Sequence, residues 1–139
     1  MSFEALKRDS DKRWLDLTTG SKPWIRVSSA MCCGTSLESD SIVSEIVNYS
    51  EKNKIPINID TVGCHGICYA GPIIDILYKG QPRIFWGNVT RDNVIKILDN
   101  YIKNDEVLTD NLLGTLGDRF IKGIKKIGDL PGMSLQNRI

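Results

Sequence analysis

The four cysteines are the residues of this chain best suited to redox or metal chemistry, and they fall in two short stretches. Cys32 and Cys33 are adjacent in the first stretch, whereas three residues separate Cys64 from Cys68 in the second. Cysteine thiolates are the ligands of structural zinc and of iron–sulfur clusters. Convergence of the two stretches on one point would therefore create a tetrathiolate metal site.

The composition of the second stretch, VGCHGICYAGP, favours an iron–sulfur cluster over zinc. Glycines leave backbone N–H groups free to approach a bound group, and an anionic cluster is stabilised and tuned by such donors. Structural zinc more often has two residues between paired ligands, whereas three lie between these cysteines. We take Gly63 and Gly66 as the glycines whose backbone contacts the cofactor. The candidate metal ligands are Cys32, Cys33, Cys64 and Cys68.

Two predicted strands bring the cysteine stretches together. Alternation from Trp24 predicts a first strand that leads into Cys32, and IPINID at residues 55–60 predicts a second strand that leads into Cys64. Between them, apolar residues at helical spacing predict a helix capped by Asp40 or Ser41. We expect the two strands to be parallel neighbours, so that the loops that follow them lie at the same end of the sheet.

The rest of the chain predicts a small α/β fold. The runs PIIDILYKG and QPRIFWGN predict a β-hairpin with a Lys-Gly-Gln turn, and Thr90 caps a helix that follows it. We expect a mixed four-stranded sheet with helices on both faces, which is the thioredoxin-like arrangement, although element order leaves several small α/β folds open. The predicted divisions are a helical arm (1–23), the α/β domain (24–104) and a linker or the start of a following domain (105–139). Leu112, Leu113, Leu116 and Phe120 could form a short helix in the last of these.

Composition argues against several classes of function. The hydrophobic content of 41% and the net charge of +1 are ordinary for a globular domain and give no electrostatic reason to expect a nucleic-acid partner. The chain has no signal-like start and no apolar run of membrane length, so we expect no membrane insertion and a cytoplasmic location, where thiols stay reduced. The chain has a single histidine, His65, and no paired carboxylates, Ser-His-Asp set or P-loop can be assembled, so we expect no hydrolase site and no complete catalytic site.

The stretch GCHGICYAGPIIDI, with its motif C-x-G-x-C-x-x-G-P, resembles the second cysteine loop of thioredoxin-like [2Fe-2S] ferredoxins. The resemblance covers residues 24–104. That domain occurs in the small subunit of NADH dehydrogenases. It also occurs at the N-terminus of the flavoprotein subunit of multimeric NAD(P)-linked hydrogenases and related electron-bifurcating enzymes. The arm ending in KPWIRVSSAMC and the tail DLPGMSLQNRI look more like the flavoprotein-subunit version.

The resemblance implies a [2Fe-2S] cluster and a function in electron transfer within an NAD(P)H-linked oxidoreductase. It implies partners among the other subunits of a redox complex, and it leaves a homo-oligomer open. FMN and NAD would bind only in a following domain, because this chain has no glycine-rich dinucleotide fingerprint.

The first cysteine stretch departs from the family pattern C-x-G-T-x-C. Aligned on Gly34 and Thr35, Cys32 matches the first ligand, but Leu37 stands where the second is expected. Either Cys33 substitutes as the fourth ligand or the site is incomplete. His65 could ligate instead or donate to a cluster sulfur, and Ser36 is a poorer candidate because its hydroxyl is a hard ligand.

Two further functions stay open at this point. The loss of a ligand at Leu37 is compatible with a cluster-free docking or assembly domain that keeps the fold. Thiol–disulfide exchange by either cysteine pair is the other alternative. It is disfavoured because redox-active pairs more often have the spacing C-x-x-C.

Overall fold

The computed structural model describes residues 1–29 and 36–133 of the 139-residue chain. These residues form three α-helices and five β-strands. The helices are α1 (Phe3–Thr18), α2 (Ser36–Asn53) and α3 (Arg91–Leu98), and α3 continues as a π-helical turn (Asp99–Lys103). The strands are β1 (Trp24–Ser28), β2 (Asn58–Val62), β3 (Ile74–Leu77), β4 (Arg83–Trp86) and β5 (Leu112–Leu116). Within the described residues, no helix is both long and apolar enough for a membrane crossing.

The strands form one mixed sheet in the order β2-β1-β3-β4-β5. β1 and β2 are parallel neighbours, which confirms that the chain leaves both strands at the same end of the sheet. The remaining pairs are antiparallel. β2 begins at Asn58 rather than at Ile55, so the predicted second strand starts three residues too early.

The β3–β4 hairpin is confirmed, and its turn has a clear physical cause. Lys79 and Gly80 at the centre of the turn both have positive φ, 53° and 65°. Two positive φ values match the twist of the flanking strands. The N–H of Gln81 donates to the carbonyl of Tyr78 at 3.0 Å and closes the turn.

The main core lies between one face of the sheet and the helices α2 and α3. Ile25, Ile74 and Trp86 point to this face from three neighbouring strands, and all three are fully buried. Thr90 caps α3 as predicted, through a reciprocal capping box with Asn93. α2 begins at Ser36, which is earlier than the predicted cap at Asp40 or Ser41.

The predicted fold class is confirmed, but the sheet has five strands rather than four. Residues 112–116 form the edge strand β5 against β4, so the predicted short helix there is wrong. Gly114, at φ 148°, allows the segment that follows β5 to pack against this strand, because a Cβ at this position would lie 2.6 Å from the carbonyl oxygen of Lys125. The leucine spacing alone did not reveal this close approach of two backbones.

The opposite face of the sheet is covered mainly by loops. A second, smaller core forms there around Phe85, between the cysteine-containing loop after β2 and the segment that follows β5. α1 contacts this face through Trp14, whose ring packs edge-on against Trp24 with centroids 5.9 Å apart. The cysteine loop is therefore one wall of the smaller core, and its position depends on that packing.

Candidate functional site

Cys64 and Cys68 lie in the loop that follows β2, and both side chains are exposed. At this end of the sheet, the N–H of Ser29 donates to the carbonyl of Val62 at 2.8 Å, so the residues that follow β1 and β2 start side by side. Cys32 and Cys33 lie outside the described residues, and their prediction as ligands stays a prediction. The structure thus locates two of the four predicted ligands, and it shows the end of β1, from which the stretch with Cys32 and Cys33 continues.

The two described thiols are spaced as ligands of one metal ion would be. Their Sγ atoms are 3.8 Å apart. Two sulfurs each about 2.3 Å from one tetrahedral metal ion are separated by about 3.8 Å, whereas a disulfide requires about 2.05 Å. Thiolates are soft donors, which suit zinc, copper(I) and iron–sulfur clusters. The pair therefore fits a thiolate-ligated metal centre in both geometry and chemistry.

The glycines of the loop contribute backbone rather than side chains. Gly66 has φ 77°, a left-handed conformation that favours glycine, and its N–H points at Cys64 Sγ with an N–S distance of 3.2 Å. An N–H directed at a thiolate stabilises its negative charge. At Gly63, a Cβ would meet no atom within 4 Å among the described residues, so packing does not require glycine there.

A short 3₁₀ turn, Cys68–Ala70, holds the second cysteine against the sheet. Ile67 and Ala70 on either side of Cys68 are buried in the smaller core, at 1% and 2% exposure. The carbonyl of Ala70 accepts a hydrogen bond from Asn88 N at 2.7 Å. Gly87 permits this contact, because a Cβ at Gly87 would lie 2.7 Å from the same carbonyl oxygen. The exposed thiol of Cys68 is thus carried by a turn with a packed underside.

The C-terminal segment also contacts the cysteine loop. Tyr69 is 62% exposed, and its hydroxyl donates to the carbonyl of Pro131 at 3.3 Å. Leu130 and Met133 of the same segment are buried in the smaller core beside Ile67. Residues after β5 therefore support the loop, a role that the sequence did not indicate.

A buried charged network lies on the same face of the sheet, and sequence reasoning missed it. Asp75 is fully buried and accepts hydrogen bonds from Arg26 Nε at 2.9 and 3.1 Å and from Arg83 Nη1. Nε2 of His65 lies 3.3 Å from Asp75 Oδ2. Burial raises the pKa of Asp75, but the hydrogen bonds from His65 and Arg26 and the positive charges of Arg83 and Arg26 outweigh it and leave the pKa below its ordinary value. The available signal was one aspartate inside the apolar run PIIDIL, opposite an arginine on β1.

The side chain of His65 points toward this network. Its Nε2 faces Asp75, and its ring packs edge-on against Phe85 with centroids 5.6 Å apart. The side chain of His65 is only 14% exposed. Its backbone belongs to the cysteine loop, while its ring is embedded at the sheet. Within residues 1–29 and 36–133, no group of three or more histidine, cysteine or acidic side chains is arranged to hold a metal ion.

Comparison with solved structures identifies the architecture. A thioredoxin-like [2Fe-2S] ferredoxin from Aquifex aeolicus superposes with a TM-score of 0.57 at 15% identity, over 69% of this chain and 94% of the ferredoxin. A second structure, of the wild-type ferredoxin, gives a TM-score of 0.56 at 15% identity, over 69% of this chain and 100% of that one. The chain has the thioredoxin-like fold. At this level of identity the likeness concerns the fold alone.

Comparison by sequence gives a similar protein over part of the chain. A curated protein from Clostridium pasteurianum named "Ferredoxin, 2Fe-2S" is 38% identical over 52 residues, which are 37% of this chain. The chain spans about half the length of that relative, because the match covers 48% of it. No family model matches the chain.

Proposed function

We propose that this chain is a [2Fe-2S] electron-transfer module of the ferredoxin type. The observation that carries the proposal is the 3.8 Å separation of the Cys64 and Cys68 sulfurs, with a Gly66 N–H directed at one of them. Two comparisons support it: the curated relative is named as a 2Fe-2S ferredoxin, and the similar folds belong to [2Fe-2S] ferredoxins. When bound, such a cluster takes up and releases single electrons.

The residues of the cysteine loop would have distinct tasks. Cys64 and Cys68 would supply two of the four thiolates. The resemblance assigns a third to Cys32, and Cys33 would substitute for the ligand that the family has at the position of Leu37. The N–H of Gly66 would stabilise negative charge on Cys64. Both described cysteines are exposed, so a redox partner can approach the loop from solvent without a change in the sheet.

We also propose a wider setting, in which the chain serves an NAD(P)H-linked multisubunit oxidoreductase of the NADH dehydrogenase or hydrogenase type. The support is the resemblance of the N-terminal arm and of the tail DLPGMSLQNRI to the flavoprotein subunit. FMN and NAD would then bind in a following domain, and the partners would be the other subunits of the complex. A cytoplasmic location is part of this proposal, because reduced thiols are needed for ligation.

The cluster is tested by anaerobic reconstitution of the full chain with iron and sulfide, followed by counting of both. We expect two irons and two sulfides per chain for a [2Fe-2S] cluster, with visible absorption. Cys64→Ala and Cys68→Ala should each abolish stable incorporation, because alanine leaves no ligand atom. Tyr69→Phe is the matched control, because it changes the residue beside Cys68 and removes only the hydroxyl that contacts Pro131. A colourless wild-type chain without iron would overturn the proposal.

The wider setting needs a separate test. A tagged chain purified from its own cells should bring with it a flavin-containing complex that oxidises NADH or NADPH. Purification of the tagged chain without flavin or NAD(P)H-oxidising activity would remove the oxidoreductase setting and leave the electron-transfer proposal untouched.

A cluster-free docking domain is the second candidate, and Leu37 favours it. The resemblance expects a cysteine there, and Leu37 lies within the bounds of α2. A docking domain would stay colourless after reconstitution and would still assemble with its partners when Cys64 and Cys68 are both serine. Iron incorporation that depends on these two cysteines would exclude it.

A further inference from the structure

A side-chain contact of His65, the residue after the first cysteine of the loop, holds the cysteine loop against the sheet. His65 follows Cys64 directly, and its Nε2 lies 3.3 Å from a carboxylate oxygen of Asp75 on β3. Asp75 is held rigidly, because it is fully buried and also accepts hydrogen bonds from Arg26 on β1 and Arg83 on β4. A side chain anchored in this way restricts the backbone of Cys64 as well.

The network of Arg26, Asp75 and Arg83 contains more positive than negative charge. Two guanidinium groups surround the single carboxylate of Asp75. Both guanidinium groups also lie against the ring of Trp24, Arg83 at 4.3 Å and Arg26 at 5.6 Å from its centroid. Burial lowers the pKa of Arg83 below its ordinary value, and the charge of Arg26 acts in the same direction, against the charge of Asp75.

The neighbouring acid on this face does not cancel the excess. Asp60 stands opposite Arg26 on β2, accepts a hydrogen bond from Trp24 at 2.8 Å and lies 3.9 Å from Arg13. Arg13, whose side chain is 75% exposed, adds a positive charge beside it, so three arginines face two aspartates on this side of the sheet. Buried charges are costly unless they are balanced, so an excess of positive charge here would be stabilised by an anionic group at the adjoining loop.

We propose that His65 is a positioning residue for Cys64, and that the Arg26–Asp75–Arg83 network behind it favours electron uptake at the cysteine loop. The inference rests on the proposed function, since it concerns a thiolate-held cluster. His65 fixes the turn through its contact with Asp75 rather than by ligating the metal. The positive charge favours the reduced, more negative state and so raises the reduction potential.

The positioning role is tested with paired substitutions of His65. His65→Leu removes the contact with Asp75, whereas His65→Gln keeps a side-chain N–H donor at similar reach. We expect iron release to a chelator to be about 10- to 100-fold faster in His65→Leu, as for other residues that orient metal ligands, and close to wild type in His65→Gln. Tyr49→Phe is the matched control. It removes a 3.0 Å contact with Asp99 on the helix side of the sheet, and should leave iron release unchanged.

The charge role is tested by measuring the reduction potential. Arg26→Met removes one positive charge while Arg83 and His65 still hold Asp75, and should lower the potential relative to wild type. Arg91→Met is the same substitution at an exposed ion pair with Glu45, on another part of the surface, and should leave the potential unchanged. Equal potentials for the two variants would overturn the charge role. Equally fast release by both His65 variants, or release at the wild-type rate by His65→Leu, would overturn the positioning role.

Hydrogen exchange separates failure of this inference from failure of the proposed function. If the wild-type chain binds no iron, the proposed function fails, but exchange of the Gly66 amide in the apo-chain still reports the order of the turn. We expect faster exchange in His65→Leu than in His65→Gln. Identical exchange in both variants would show that His65 does not position the turn, whatever the chain binds.

Discussion

Gly87→Ala should strain the turn that carries Cys68. An added Cβ at Gly87 would lie 2.7 Å from the carbonyl oxygen of Ala70 and 3.1 Å from both Ala70 Cβ and Leu113 Cδ1, whereas ordinary contacts begin at 3.4 Å. The leucine can rotate, but the carbonyl is backbone and is already fixed by Asn88 N. The turn must therefore move by several tenths of an ångström, and its hydrogen bond must lengthen.

The expected size of this effect follows from the cost of overpacking. An extra methyl group in a packed site costs about 1–3 kcal/mol. For a chain of 139 residues, an unfolding entropy of about 2.1 cal/mol/K per residue converts this into a fall in Tm of about 3–10 °C. Thermal unfolding of the apo-chain, followed by circular dichroism, measures it. Because the moved turn contains Cys68, we also expect lower iron incorporation.

Gly128→Ala is the matched control for this substitution. A Cβ at Gly128 meets nothing within 4 Å among the described residues, and its φ is not positive. It should leave Tm unchanged or raise it slightly, by the equivalent of about 0.4–1 kcal/mol. If Gly87→Ala unfolds at the same temperature as Gly128→Ala, the reasoning from the close approach to Ala70 is refuted.

Four further predictions follow, two on the Asp75 network, one on the cap of α3 and one on the glycines of the cysteine loop. Asp75→Asn should lower the free energy of unfolding by about 3–5 kcal/mol, because Arg83 keeps a buried charge without its carboxylate; urea denaturation near pH 7 measures this, and a loss below 1 kcal/mol would contradict it. The pKa of Asp75 is lowered on folding. Its contribution to the free energy of unfolding is therefore complete above the ordinary aspartate pKa of about 3.9 and is lost as the pH falls through the folded-state pKa. Wild type should lose more stability than Asp75→Asn between pH 6 and pH 3, and parallel losses would argue against the lowered pKa. Thr90→Ala should cost about 1 kcal/mol through loss of the α3 cap, measured by urea denaturation, and an unchanged midpoint would show that the cap is dispensable. Gly66→Ala should cost about 1–2 kcal/mol because of its φ of 77°, whereas Gly63→Ala should leave apo-chain stability unchanged; equal denaturation curves would contradict this difference.

Local sequence patterns predicted the central part of the fold. Alternation at Trp24–Ser28 and the Lys79-Gly80 turn each depend on neighbouring residues, so they could be read without tertiary information. The cap at Thr90 is local for the same reason. The edge strand Leu112–Leu116 could not be read in this way, because it pairs with β4, which lies far from it in the sequence.

The candidate site likewise has a part that local sequence patterns predicted and a part that depends on tertiary contacts. The Cys64–Cys68 spacing predicted a metal-binding loop, and the structure brings these two sulfurs to 3.8 Å. The contact between His65 and Asp75 joins residues on a loop and a strand, and it depends on the sheet register that sets Asp75 opposite Arg26. Such a network is defined by strand pairing, which single-sequence patterns do not specify.

Electron uptake by the reconstituted chain is the most direct test of the central claim. The measurement is EPR of the anaerobically reconstituted, dithionite-reduced protein, with spins counted per chain and compared with Cys64→Ala, which leaves no ligand atom at this position. The account predicts about one spin per chain with a [2Fe-2S] signal for wild type and none for Cys64→Ala. A wild-type chain with no spin, or a signal that persists in Cys64→Ala, would contradict the assignment of the cysteine loop as an electron-transfer site.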